Sequence, residues 1–127
     1  MGELGERRKG RRVQLPERPG GRIRATLSAR LLDLSTTGAR IEHHNLLRPG
    51  FTCTIELPET LGALILPARV ARSTVAGTED GPAGERLLRY ESGLAFGDLT
   101  ADQRAALENV LGRFAPGKPL GHGRLVL

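Results

Sequence analysis

The sequence predicts a small, mainly β domain: an antiparallel barrel or sandwich of about five or six short strands with one C-terminal helix as a cap. Three observations carry that expectation. The 127 residues suffice for one domain with one core. Short apolar stretches with a two-residue period are interrupted throughout by 17 glycines and 8 prolines, the punctuation of strands and tight turns. Near residue 100 the apolar period changes, once, to that of a helix.

Taken in order, residues 1–21 are polar, hold Pro16, Pro19, Gly20 and Gly21, and lack apolar periodicity. They read as a basic arm, flexible without a ligand, because they bury too little surface to order themselves. A barrel with its helix is expected over 22–114. Its first strand runs from Ile23 to Leu34 and ends at the turn Ser35-Thr36-Thr37-Gly38; Ala39 to His43 alternates as a half-buried strand. Arg48-Pro49-Gly50 turns the chain into the alternation of Phe51 to Leu57. Ala63 to Thr74 gives another strand, with Pro67 arguing for a bulge or an edge. Residues 76–86, rich in Gly, Glu and Asp, read as the longest loop, and Leu87 to Phe96 returns to strand. Thr100-Ala101-Asp102-Gln103 is a capping-box start. Leu107, Val110, Leu111 and Phe114 then form one apolar stripe, expected to pack across an open end of the sheet. Residues 115–127 are expected to be an irregular tail, in which Arg124 to Leu127 could add an edge strand.

The net charge of +5 is concentrated at one end. Residues 1–30 hold nine Lys/Arg against three Glu, and the remainder ten against eleven acids. A cationic arm on a balanced domain points to an anionic partner. One cysteine excludes an internal disulfide and a cysteine-based zinc cluster; Cys53, on the apolar side of its strand, reads as a small buried hydrophobe. No apolar run has the length of a membrane span and the N-terminus lacks the apolar stretch of a secretory signal, so a cytoplasmic protein without membrane contact is expected.

The chemistry is carried by two short motifs. Arg7-Arg8-Lys9-Gly10-Arg11-Arg12 supplies guanidinium forks that match two phosphate oxygens, or guanine O6 with N7. Asp33-Leu34-Ser35-Thr36-Thr37-Gly38 places a carboxylate, a hydroxyl and a glycine at a strand end. Asp33 can accept from guanine N1–H and its exocyclic amine, or cap its own turn. Ser35 can donate to a phosphate or to the turn, and Gly38 can supply a positive φ or room for a ligand. Arg40 could add a phosphate contact or simply be exposed. His43 and His44, adjacent on a strand, face opposite ways and are expected at solvent or edge positions rather than on one metal. Ser35 lacks a nucleophile elbow, so no enzymatic activity is expected.

The ordered set RxxxR, then (D/N)xSxxG, then Gly93-x-x-Phe96, then a helix from Ala101 resembles the PilZ domain, a bacterial receptor for cyclic di-GMP. Arg8 and Arg12 match RxxxR, ahead of Val13-Gln14-Leu15, which looks like the family's first extended segment; Arg7 and Arg11 fit the same spacing one residue earlier. The resemblance implies a six-stranded split barrel with a C-terminal helix, and cyclic di-GMP, without a further cofactor, bound by Arg7, Arg8, Arg12, Asp33, Ser35 and Gly38, with Arg11, Arg40 and Gly93 as additional candidates. Arg7 just before the motif resembles members that take up an intercalated pair of ligands rather than one. Folding of the arm onto the barrel would then create a surface for a downstream protein partner. Two other readings stay open: a PilZ-fold adaptor that binds protein and no nucleotide, and non-specific nucleic-acid binding through the arm. Three Phe, one Tyr and no Trp offer few stacking platforms for the last, which is not expected to be the main role.

Overall fold

The two-residue apolar period resolves into strands that close on themselves. The computed structural model describes residues 25–114 and 117–127. Its elements are β1 (Thr26–Leu34), β2 (Gly38–His43), β3 (Thr52–Glu56), a single 3-10 turn (Glu59–Leu61), β4 (Ile65–Asp80), β5 (Arg86–Phe96), α1 (Ala101–Arg113) and β6 (His122–Val126). All six strands pair antiparallel, in the closed order β1-β2-β5-β4-β3-β6, with β6 returning to β1. The expected mainly β barrel with one C-terminal helix is therefore the observed architecture.

Alternate residues fill the interior. Ile41 on β2, Ile55 on β3, Leu66 and Val70 on β4, and Leu125 on β6 are buried to within 1% of full exclusion. Each such side chain contributes about 1.5–3 kcal/mol on leaving water. Leu107 and Val110 of α1 join the same core, as the helical stripe requires. The capping box forms as expected: Gln103 N–H donates to Thr100 Oγ1 at 3.0 Å, and Thr100 N–H to Gln103 Oε1 at 2.9 Å. Gln103 Nε2 also donates to the Ile65 carbonyl at 3.2 Å, tying the first helical turn to the start of β4. Cys53 is half-buried against the core, and burial pushes its thiol above the ordinary value. Among the described residues no helix is long and apolar enough to cross a membrane.

Four expectations change. Residues 76–86 are not one long loop, because β4 runs on to Asp80 and pairs with β5 down to Asp80↔Arg86. This ribbon projects beyond the ladders that β4 and β5 make with β3 and β2, so it needs no apolar alternation to be a strand. Residues 115–127 are not wholly irregular. β6 pairs with β1 on one side and β3 on the other, and it closes the barrel rather than lying at an edge. Gly123 permits this, since a β carbon there would sit 2.6 Å from the Glu56 carbonyl oxygen. Pro67 lies at neither edge nor bulge: it pairs with Thr54, and the β5 ladder begins one residue later, at Ala68.

The fourth change concerns His43, which is 2% exposed rather than at the surface. It shares the inward face with Ala39 and Ile41. Its Nε2 lies 2.7 Å from Ser92 Oγ, which donates to Ser73 Oγ at 2.8 Å, and its ring stacks on Tyr90 at a centroid distance of 5.8 Å. Burial holds the imidazole below its ordinary value, against a smaller upward pull from the Asn45 backbone and with a further lowering by His44. His44 takes the other face, as alternation predicts, and its Nε2 lies 2.8 Å from Glu79 Oε2 on the ribbon.

Candidate functional site

The β1–β2 hairpin positions the second motif. Ser35 N–H donates to the Gly38 carbonyl at 2.9 Å, and Ser35 Oγ accepts from the backbone N–H groups of Thr37 and Gly38, each at 3.2 Å. The serine hydroxyl is thus the internal brace of the turn. Phe96 N–H donates to the Thr37 carbonyl at 2.9 Å and fastens the turn to the end of β5.

Gly38 is needed for a packing reason that was not read in the sequence. Its φ is not positive. A β carbon built on it would overlap the Leu94 carbonyl oxygen, so the glycine lets β2 approach the β5 backbone.

Asp33 reaches the outer wall through a β-bulge. Ala29 and Leu31 of β1 point into the core, and strict alternation would send Asp33 after them. The register shifts between Leu31 and Asp33, so Leu31 faces Ile41 while Asp33 faces Arg40. The extra residue turns Asp33 outward, where it is exposed. One of its carboxylate oxygens accepts from Leu34 N–H at 2.9 Å, and the other has no hydrogen-bond partner among the described residues.

These residues border one cleft of about 410 Å³, which takes in Asp33, Ser35, Gly38, Arg40 and Gly93. The five barrel residues singled out as ligand candidates therefore meet in one place. Arg40 extends across β5, its Nη1 3.2 Å from Glu91 Oε1 in a pair that is largely exposed. Arg7, Arg8, Arg11 and Arg12 lie outside the described residues.

The cleft also contains Arg72, on β4, which sequence reasoning missed. A signal was present: Leu66, Ala68 and Val70 alternate inward, and an arginine at the next inward step signals a change of register. Glu91 was missed too, because its partnership with Arg40 depends on the pairing of β2 with β5. Among the described residues, no group of three His, Cys, Asp or Glu side chains is arranged to hold a metal ion.

The cleft is open, with arginines on its β2 and β4 sides, a carboxylate on β1, and apolar surface between them. Such a surface suits an anion that also presents hydrogen-bond donors, as a guanine nucleotide does. The family model described as PilZ domain matches residues 6–113, from within the basic arm through the last residue of α1. No curated protein and no solved structure matches the chain. A match over most of the length, on a closed barrel whose β1–β2 turn carries the (D/N)xSxxG motif, shows that the chain belongs to the PilZ domain family, whose members are cyclic di-GMP-binding and adaptor modules rather than enzymes.

Proposed function

We propose that this chain is a non-enzymatic receptor for cyclic di-GMP, which binds between the outer barrel wall at the β1–β2 hairpin and the basic arm. The observation that carries the reading is the convergence of Asp33, Ser35, Gly38, Arg40 and Gly93 on one cleft, in a chain whose family match takes in Arg7 to Arg12. Asp33 accepts from the guanine N1–H and exocyclic amine, an edge that adenine cannot present. Arg8 and Arg12 hold phosphate oxygens or guanine O6 and N7 from the arm, and Arg7 and Arg11 are available to the same anion. Ser35 and Gly38 keep the hairpin in the shape that presents Asp33. Arg40 rests on Glu91 in an exposed pair worth no more than about 1 kcal/mol, so a phosphate can take it over.

Each charge-assisted contact contributes about 1.5–3 kcal/mol once desolvated, so several arginines together offset the cost of fixing the arm. Fixing the arm on the barrel makes the surface that a downstream protein partner reads. No cofactor is required. In the full chain, Arg8→Ala and Arg12→Ala are expected to abolish binding with the barrel still folded; unchanged affinity in both would refute the assignment. Arg7 ahead of the motif supports an intercalated pair of ligands, and a 1:1 isotherm would exclude it.

A further inference from the structure

A second bulge repeats on β4 what the first does on β1. Leu66, Ala68 and Val70 point into the core, and the register shifts between Val70 and Arg72, so Val70 faces Leu94 while Arg72 faces Gly93. A side chain that alternation would send inward is turned onto the outer wall. Gly93 in turn faces Arg40, and Arg40 faces Asp33. The two bulges therefore deliver a carboxylate and a guanidinium to the two ends of one cross-strand row, Asp33–Arg40–Gly93–Arg72, and all four border the same cleft.

Arg72 does not simply extend into solvent. A β carbon on Gly93 would lie 3.4 Å from Arg72 Cγ and Nε, so the arginine stem crosses β5 over the bare glycine, toward Arg40. With neighbouring strands about 4.8 Å apart, the α carbons of Arg40 and Arg72 are about 10 Å apart, within reach of one ligand. Among the described residues Arg40 has a carboxylate within ion-pair distance and Arg72 has none.

We propose that Arg72 is a ligand-contacting residue, the barrel wall's own cation for a phosphate or for the acceptor edge of guanine, and that Gly93 is its positioning residue. This deepens the receptor reading and rests on it. Gly93 then acts by leaving the path across β5 clear, without itself touching the ligand.

The test is equilibrium binding of cyclic di-GMP to the full chain and to Arg72→Ala, Arg72→Lys and Gly93→Val. Arg72→Ala is expected to weaken binding about ten- to hundredfold. Arg72→Lys should fall in between, because it keeps the charge and loses the fork. The ligand-free melting temperatures of both Arg72 variants should match the wild type, as expected of a surface side chain. Gly93→Val should lose affinity by displacing Arg72. Wild-type affinity in both Arg72 variants would overturn the assignment while the receptor reading stands. Wild-type affinity in Gly93→Val alone would overturn the glycine's positioning role. Absence of binding by the wild-type protein would overturn the receptor reading, and this assignment with it.

Discussion

Replacing Gly38 by alanine separates two uses of a motif glycine, packing the barrel and admitting a ligand. The added methyl would overlap the Leu94 carbonyl oxygen and lie 3.2 Å from its carbon and 3.5 Å from Ala95 Cα. All three atoms are backbone, so no side-chain rotation relieves the overlap; β2 and β5 must move apart where Gly38 pairs with Ala95. Overpacking of this kind costs about 1–3 kcal/mol, and a backbone obstacle argues for the upper half of that range. For a domain of this size each kcal/mol lowers the melting temperature by about 4–8 °C, so a fall on the order of 10 °C is expected. Thermal unfolding of the ligand-free protein, followed by circular dichroism and repeated in urea, measures it. A melting temperature within about 2 °C of wild type, with ligand binding lost, would refute the packing argument and leave Gly38 as room for the ligand.

Three further outcomes are expected. Leu107→Ala empties a fully buried site between α1 and the barrel and should destabilise the fold by about 2–5 kcal/mol in urea unfolding. Thr100→Ala removes one half of the capping box and should cost about 1 kcal/mol by the same measurement, with ligand affinity unchanged. His43 is held below its ordinary value of 6.5 by burial, so below that pH the unfolded chain takes up a proton that the native ring refuses. Its contribution to stability is therefore complete above about pH 6.5 and is lost as the pH falls toward the native value. Urea midpoints at about pH 7.5 and 5.5 should show a smaller loss on acidification in His43→Gln than in wild type; equal losses would contradict the assignment.

The parts of the fold legible in the sequence are those where local pattern and tertiary environment agree. Ile41 and Ile55 sit on strands with polar residues between apolar ones, and α1 begins at its capping box and buries the stripe that its period marks. The β4–β5 ribbon past residue 76 was not legible, because Gly77 to Asp80 stand outside the barrel and carry no inward apolar set. β6 was obscured for the opposite reason. It is held on both sides, so one buried leucine and one glycine suffice where an edge strand would need a longer apolar pattern.

For the site, Asp33, Ser35 and Gly38 could be read because they are adjacent in sequence and their turn is local. Arg72 was missed: the break in alternation at residue 72 could be read, but its place in the cleft follows from a partner on another strand. His43 was misjudged similarly: the groups that make its burial tolerable, Ser92 and Tyr90, come from β5 through long-range pairing. Local chemistry was legible, and chemistry assembled across strands was not.

The central claim is tested most directly by isothermal titration of the full chain with cyclic di-GMP, with cyclic di-AMP and GTP as controls. The account predicts micromolar or tighter binding of cyclic di-GMP alone, with a stoichiometry of two if Arg7 admits the intercalated pair. No heat from a folded protein at any ligand concentration would contradict it and leave a PilZ-fold adaptor that has kept the motifs without the ligand.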